Sequence, residues 1–303
     1  QQISNAQGVF TILAMDHRGS LRRQLARSPQ SEATYEEMVA FKMLLTAHLS
    51  PHASATLLDP EFGAAQAIAN RALPGHKGLL VSLEATGYEG NANDRKSGVL
   101  PGWSVEKVKR LGASAVKLLV YYNANAPSTT VQEALIRQVA AECRMHDIAF
   151  LVETVTYSRE GEDKVELVIA SAKRLSSLGM DIYKAEFPGT LVQSDDEWAA
   201  NCRRLTETLG DMPWVLLTAG VDWLQFKRQA YIAMRNGASG FLAGRAIWQE
   251  CIPMRDDERT AFVQGPATAR FKELVHLAES YATPWHARLK VNIPLSHGWY
   301  KAY

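Results

Sequence analysis

The chain has 303 residues, of which 47% are hydrophobic and 21% charged, and its formal net charge is +1. This composition supplies a large core, and a nearly neutral chain without a basic run argues against nucleic-acid binding. No apolar stretch approaches the roughly 18 residues that span a bilayer, so we expect no membrane partner. The cysteines Cys143, Cys202 and Cys251 show neither zinc-site nor disulfide spacing, which favours a reducing cytoplasm.

Short apolar runs bounded by turn residues recur along the chain and predict buried β-strands. In chain order, the eight predicted strands are residues 9–16, 55–63, 78–84, 115–123, 149–157, 181–189, 213–221 and 240–248. Other segments have apolar residues at three- and four-residue intervals, which predicts amphipathic helices. These predicted helices are residues 34–49, 129–146, 163–179, 222–237 and 268–282.

Eight strands that alternate with helices predict an α/β protein of the (β/α)8 barrel (TIM barrel) class. Parallel strand–helix–strand units are right-handed, so such an alternation closes naturally into a barrel, whereas an open doubly wound sheet would need a reversal of strand order. No linker composition or internal repeat divides the chain, so we expect one domain over residues 1–303 with a C-terminal helical extension. Residues 284–295 are predicted to be an arm that packs on the barrel or on a neighbouring subunit.

Two lysines and a glutamate interrupt the apolar runs. Lys117 lies in the fourth run, Glu153 in the fifth and Lys184 in the sixth. Strands of a parallel sheet are buried on both faces, and burial disfavours the charged form of a lysine. An uncharged lysine is a nucleophile, and two amines with an acid in one cavity are typical of covalent amine catalysis. A structural lysine–glutamate pair is the alternative interpretation of the same residues.

Further polar residues lie at the carboxyl ends of the predicted strands, where barrel enzymes have their active sites. Asp16, His17 and Arg18 end the first strand, and His17 is the one histidine of eight at a strand end, so we expect no multi-histidine metal site. The other acids near strand ends are Asp59, Glu61, Glu84 and Glu186. For the first three of these, loop capping or salt bridging is the simpler interpretation. Glu186 shares a strand face with Lys184.

The loops after the seventh and eighth predicted strands indicate a phosphate site. They carry Thr218, Ala219, Gly220, Gly244 and Arg245. In barrels these two loops commonly bind phosphate through backbone N–H groups and the start of a short helix. Glycine lets the backbone approach an anion closely, and arginine adds a charged, fork-shaped donor. A tight turn without a ligand is the alternative.

Several segments resemble, in order and spacing, the class I tagatose-1,6-bisphosphate aldolases and the related sulfofructosephosphate aldolases. They are AMDHRGSLRR, VSLEATGYEG, AVKLLVYYN, LVETVTY, DIYKAEFPGT, MPWVLLTAGVD and GASGFLAGRAIW, within residues 9–250. ATGYEG and VYYN look more like the tagatose branch, whereas the last third is closer to the sulfosugar branch. The resemblance implies a (β/α)8 enzyme without a cofactor, a phosphorylated ketose substrate and a homo-oligomer.

The resemblance also implies roles for individual residues. The Schiff-base lysine of such enzymes falls on Lys184, and their other catalytic positions fall on Lys117, Glu153 and Asp16. Lys184 would attack a ketone to give an iminium that accepts electrons during cleavage to dihydroxyacetone phosphate, with Glu153 as the proton shuttle. Asp16 would hold Lys117 or the carbinolamine hydroxyl. The family usually has glutamine where this chain has His17, a departure that either alters the sugar recognised or exchanges one hydrogen-bonding side chain for another.

The sequence leaves two alternatives for the group at the far end of the substrate, a phosphate or a sulfonate. We expect His17 and Arg18 to contact the substrate, and Arg18, Arg95 and Lys96 are candidates to bind a second anion, either a phosphate or a sulfonate. A sulfofructosephosphate aldolase that releases sulfolactaldehyde is therefore an alternative function. A non-catalytic sugar-phosphate-binding barrel and a metal-dependent barrel enzyme are further alternatives.

Overall fold

A computed structural model describes residues 1–26, 28, 30–289 and 297–301 of the chain. Its strands are β1 (Phe10–Met15), β2 (Ala55–Leu58), β3 (Gly78–Ser82), β4 (Glu89–Asn91), β5 (Asp94–Lys96), β6 (Ala115–Tyr122), β7 (Ala149–Thr156), β8 (Ile182–Ala185), β9 (Trp214–Leu217) and β10 (Gly240–Ala243). All except β4 and β5 are parallel neighbours in a closed barrel, in the order β1-β2-β3-β6-β7-β8-β9-β10. This confirms the predicted (β/α)8 barrel. Strands β4 and β5 form a separate antiparallel hairpin.

Helices connect the successive barrel strands, and further helices follow the last strand, β10. They are α1 (Gly19–Gln24), α2 (Tyr35–Leu49), α3 (Ala64–Ala69), α4 (Val105–Arg110), α5 (Thr129–Met145), α6 (Lys164–Leu175), α7 (Asp195–Leu209), α8 (Trp223–Arg235), α9 (Arg245–Trp248), α10 (Asp256–Phe262), α11 (Thr268–Tyr281) and α12 (Trp285–Arg288). The five predicted helices correspond to α2, α5, α6, α8 and α11. Helices α3 and α4 were missed because six residues are too few to show a helical period. Helix α7 had a signal, since Ser194 and Glu197 form a capping box at its start.

Several strands end earlier than predicted. The second predicted strand reaches residue 63, but β2 ends at Leu58, and the eighth reaches residue 248, but β10 ends at Ala243. Residues 245–248 are helix α9 instead of strand. An apolar run does not distinguish a buried strand from the buried helix that follows it, which is why the prediction was wrong there.

The barrel interior changes from apolar to charged along the strands. Leu151 on β7 and Ile182 on β8 belong to a fully apolar inner cluster. Two residues farther along the same strands are Glu153 and Lys184, which pair in register, while Lys117 on β6 pairs with Leu151. Alternate residues of a strand face the same side, so all three polar side chains point inward above the apolar cluster.

The C-terminal extension closes the opposite end of the barrel. After α11, the backbone N–H of Trp285 donates to the Gly8 carbonyl, and Arg288 donates to the Met212 and Thr206 carbonyls. The predicted arm therefore packs on the barrel as far as residue 289, and its residues 290–295 lie outside the described part of the chain. Across the described ranges, no helix is both long and apolar enough to cross a membrane.

Candidate active site

A cavity of about 430 Å³ opens at the carboxyl ends of the barrel strands. The charged residues that line it are Asp16, Arg18, Arg23, Glu84, Lys117, Glu153, Lys164, Lys184, Glu186 and Arg245. The catalytic residues predicted from the sequence, Asp16, Lys117, Glu153 and Lys184, thus share one site although they come from four different strands or strand ends. In the described residues no group of three or more histidine, cysteine, aspartate or glutamate side chains is arranged to hold a metal ion.

Lys117 lies at the centre of this site and is enclosed by carboxylates. Its Nζ atom is 2.7 Å from Asp16 Oδ2, 2.6 Å from Glu84 Oε1 and 2.8 Å from Glu153 Oε2. Burial alone would lower the pKa of Lys117, but the three carboxylates raise that pKa well above its usual value. The ammonium group donates hydrogen bonds to Asp16 and Glu84, and Glu153 is its third ion-pair partner. Lys117 is therefore a fixed cation.

Lys184 has a different environment, although it is also buried. Within the described residues its single ion-pair partner is Glu153, whose Oε2 atom lies 2.8 Å from Lys184 Nζ. The same oxygen is the one that contacts Lys117. Both lysines line the cavity, but Lys184 has one carboxylate partner where Lys117 has three. Lys184 is thus the lysine that the carboxylates leave more open to a substrate.

The acids of the cluster stay ionised because they lie between ammonium groups. Burial by itself would raise the pKa of Asp16, but Lys117 and Lys184 outweigh burial and hold that pKa well below its usual range. For Glu153, burial acts in the same direction and the same two lysines lower the pKa below its usual value. Both groups are therefore ionised in the unliganded site and have no proton to donate.

Glu84 also belongs to the cluster, which the sequence did not show. Salt bridging was the simpler interpretation of this residue, and a salt bridge is present, but its partner is Lys117. The second carboxylate oxygen accepts from the Leu119 backbone N–H at 3.0 Å. Its position at the end of β3, opposite an inward lysine, was the available signal. Asp59 and Glu61 form salt bridges, as the simpler interpretation predicted. Asp59 pairs with Lys42, and Glu61 pairs with Arg18.

The predicted phosphate loops flank the cavity. Thr218, Ala219 and Arg245 line it, and the Nε atom of Arg245 is buried without a hydrogen-bond partner. Gly220 has a φ of +77°, and a Cβ atom there would lie 3.1 Å from the Arg245 guanidinium. A Cβ on Gly244 would lie 3.0 Å from His17 Cε1. The two glycines thus make room for Arg245 and His17 and do not themselves line the cavity.

His17 lines the same side of the cavity as a neutral ring. Burial lowers the pKa of His17 to about 4; Asp16 opposes this effect, while Arg245 adds to it. The ring meets Trp248 edge-on at 5.3 Å between centroids, and its Nδ1 atom is buried without a partner. Near pH 7 the imidazole can therefore donate and accept hydrogen bonds but adds no charge.

The candidates for a second anion site are not equivalent. Arg18 lines the cavity, but its guanidinium already donates to Glu61 at 3.1 Å and to the Glu84 carbonyl at 2.6 Å. Arg95 and Lys96 do not line the cavity. The Arg95 guanidinium instead lies over the rings of Tyr88 and Tyr157, at 4.8 and 4.7 Å from their centroids. Two cations that the sequence did not indicate, Arg23 and Lys164, line the cavity instead.

Comparison with known families agrees with this geometry. Residues 10–250 match the family described as DeoC/LacD family aldolase. The chain belongs to this family. It is therefore an aldolase, a carbon–carbon lyase, and the site just described lies within the matched residues.

Curated relatives of this DeoC/LacD aldolase cover nearly its whole length. The tagatose 1,6-diphosphate aldolase 2 of Streptococcus mutans serotype c is 33% identical over 96% of each chain. The tagatose 1,6-diphosphate aldolase 1 of Streptococcus pyogenes serotype M1 is 29% identical over 93% of this chain and 95% of the relative. Among solved structures, an archaeal fructose 1,6-bisphosphate aldolase has a TM-score of 0.64 at 18% identity, covering 92% of this chain and 96% of its own. These likenesses agree with the sequence resemblance and with the barrel.

Proposed function

We propose that this DeoC/LacD aldolase is a class I enzyme that uses Lys184 as its Schiff-base nucleophile. We further propose that it reversibly cleaves a six-carbon ketose phosphate, similar to tagatose 1,6-bisphosphate, to dihydroxyacetone phosphate and a three-carbon aldehyde. The observation that carries this proposal is the difference between the two lysines. Both line the cavity, but Lys117 is enclosed by three carboxylates, whereas Lys184 contacts one. The streptococcal relatives, which are named tagatose 1,6-diphosphate aldolases, support the choice of sugar.

The chemistry begins when Lys184 gives its ammonium proton to Glu153, 2.8 Å away, and the uncharged amine attacks the ketone carbon, C2, of the substrate. Glu153 returns that proton to the carbinolamine hydroxyl, which leaves as water and gives an iminium, whose positive nitrogen accepts electrons. A base then removes the proton from the C4 hydroxyl, the C3–C4 bond breaks, and the three-carbon aldehyde leaves. The electrons of the broken C3–C4 bond form an enamine on the retained half. Protonation of this enamine at C3 and hydrolysis of the iminium release dihydroxyacetone phosphate and regenerate the amine.

Glu153 would serve as that base. Its carboxylate lies 2.8 Å from Lys184 Nζ and faces the same cavity. Lys117 stays cationic beside it and would stabilise negative charge that develops on the substrate oxygen. Asp16, at 2.7 Å from Lys117, keeps this cation in place.

The phosphate of the retained half would bind at the loops after β9 and β10. Arg245 has a buried Nε atom without a partner, and His17 has a buried Nδ1 atom without one. Buried polar atoms normally have hydrogen bonds, so unmatched donors on one wall support an anionic ligand there. Thr218 and Ala219 would add contacts from the β9 loop.

Trapping tests the nucleophile directly. Borohydride reduction with dihydroxyacetone phosphate should leave a mass adduct on the peptide that contains Lys184. Lys184→Met should abolish the adduct, whereas Lys117→Met should leave the site of labelling unchanged. An adduct on Lys117 in the wild type would contradict the assignment. Turnover of tagatose bisphosphate, fructose bisphosphate and sulfofructose phosphate in one preparation then identifies the sugar and tests the sulfonate alternative.

A further inference from the structure

A second buried ion pair lies behind the active site. Lys42 on α2 and Asp59, directly after β2, both have side chains with 0% exposure, and Lys42 Nζ donates to Asp59 Oδ2. Neither residue lines the cavity. Burying two charges costs several kcal/mol per ion, and well-packed apolar replacements of such pairs are often neutral or stabilising. Stability alone is therefore a weak explanation for this pair.

The pair joins the carboxyl ends of two neighbouring strands. Lys42 Nζ also donates to the Met15 carbonyl at 2.8 Å, and Met15 is the last residue of β1. The other carboxylate oxygen of Asp59 accepts from the backbone N–H groups of Glu61 and Phe62, at 3.0 and 2.8 Å. Lys42 and Asp59 thus hold the end of β1 against the loop that follows β2.

Both sides of this connection continue to the cluster around Lys117. On the β1 side, Asp16 follows Met15 directly and contacts Lys117 at 2.7 Å. On the β2 side, Glu61 pairs with Arg18 at 3.1 Å, and Arg18 donates to the Glu84 carbonyl at 2.6 Å. Glu84 in turn is a partner of Lys117. Two of the three carboxylates that enclose Lys117 therefore depend on the ends that Lys42 and Asp59 hold.

We propose that Lys42 and Asp59 are positioning residues for the aldol reaction. By fixing the end of β1, they keep Asp16 on Lys117. Glu153 is the carboxylate that Lys117 shares with Lys184. If Asp16 moved away, Lys117 would attract Glu153 more strongly and displace it from the reacting amine of Lys184. A misplacement of about 1 Å in an active site can cost on the order of 100-fold in rate. The inference rests on the proposed function, since it assumes that Lys184 and Glu153 carry the chemistry.

The test separates positioning from stability. The double variant Lys42→Met/Asp59→Leu replaces the pair by apolar side chains, so no unpaired buried charge remains. We expect it to unfold in urea at the wild-type midpoint or above it, while kcat falls about 10- to 100-fold. KM should change less than kcat, because Thr218, Ala219 and Arg245, three of the four proposed phosphate contacts, lie on the loops after β9 and β10, which this pair does not hold.

Ser54→Ala is the matched control, because Ser54 holds the amino end of β1, whose carboxyl end Lys42 holds. Its Oγ atom accepts from the Thr11 backbone N–H at 3.0 Å and donates to the Ile3 carbonyl at 2.8 Å. We expect this variant to lose stability and keep its kcat. If the double variant Lys42→Met/Asp59→Leu does not fold, Lys42→Met/Asp59→Asn gives the same comparison, because it also leaves no unpaired buried charge and keeps an acceptor for the Glu61 and Phe62 N–H groups.

Failure of this inference can be distinguished from failure of the proposed function. A wild-type enzyme that forms no borohydride adduct with dihydroxyacetone phosphate refutes the Schiff-base proposal, and the inference with it. A wild type that is trapped at Lys184, together with a folded Lys42/Asp59 variant of unchanged kcat, overturns the inference alone. A kcat loss of the same size in Ser54→Ala would also overturn it, because the effect would then follow from general loosening of β1.

Discussion

At the scale of single residues, the decisive feature of the site is one oxygen that serves two amines. Glu153 Oε2 lies 2.8 Å from both Lys117 Nζ and Lys184 Nζ. Lys117 has two further carboxylates and keeps its proton without Glu153. The bond from Glu153 to Lys184 can therefore change during the reaction while Lys117 stays charged.

Glu153→Gln is predicted to separate Schiff-base formation from cleavage. Glutamine keeps the size of the side chain but cannot take the proton, so cleavage should slow by at least about 100-fold, within the range for general acid–base residues. The protein should stay folded, because Asp16 and Glu84 still neutralise Lys117. Borohydride trapping with dihydroxyacetone phosphate and steady-state cleavage rates measure the two steps.

Glu186→Gln is the matched control for this change. Glu186 lines the same cavity, but its carboxylate accepts from Thr156 and pairs with Lys164 rather than with Lys117 and Lys184. Its loss should slow cleavage much less than the loss of Glu153. Near wild-type turnover in Glu153→Gln would show that another group moves the proton.

His17 should make folding stability depend on pH. Its pKa is lowered by burial to about 4 in the folded protein, from 6.5. Between these values the unfolded chain binds the proton and the folded chain does not, so the contribution of His17 to the free energy of unfolding rises with pH and levels off above 6.5. The pKa difference corresponds to about 3 kcal/mol. Urea unfolding of wild type and His17→Gln should therefore show the wild type losing about that much more stability from pH 7 to pH 4. An equal loss in both proteins would contradict this.

At the scale of elements, the two loops that end β9 and β10 differ from the other strand ends. Ala219 and Gly220 both have positive φ angles, +46° and +77°, so the β9 loop turns sharply beside the cavity. After β10 the chain passes through Gly244 directly into α9, which brings Arg245 to the cavity wall. This geometry places a charged donor where a substrate phosphate would bind.

Arg245→Ala should weaken binding of a phosphorylated ketose by about 2 kcal/mol or more, because the phosphate would lose a desolvated, charged hydrogen-bond donor. Isothermal titration with the Lys184→Met variant measures binding without turnover. Arg228→Ala is the control, since Arg228 is an exposed arginine that pairs with Asp195. Equal affinities for the two variants would refute a phosphate role for Arg245.

The hairpin of β4 and β5 is an element that the sequence did not predict. It lies in the long loop after β3, where β4 ends at Asn91 and β5 begins at Asp94, and each strand has only three residues in which to show an alternation. Arg95 anchors it through the rings of Tyr88 and Tyr157. Arg95 and Tyr157 are 62 positions apart in the chain. A contact over that separation has no local pattern, so only the folded structure reveals it.

At the scale of the whole molecule, the proposed mechanism takes its electron sink, its base and its fixed cation from three neighbouring strands of the barrel. In this mechanism, the iminium on Lys184 supplies the positive charge that cleavage needs. We therefore predict that exhaustive EDTA treatment leaves the cleavage rate unchanged, with a metal-dependent aldolase in the same buffer as the control for effective chelation. Loss of activity that zinc restores would instead support a metal-dependent enzyme.

The sequence by itself determined the barrel and the inward direction of Lys117, Glu153 and Lys184. Both follow from local patterns, namely the alternation of apolar strands with helices and the two-residue period within each strand. Only the tertiary structure decided which groups touch. The enclosure of Lys117 by Glu84, and the link from Lys42 to the end of β1, join residues 33 and 27 positions apart in the chain. Such distances depend on how the strands are staggered around the barrel and on the side-chain rotamers, and a local pattern specifies neither.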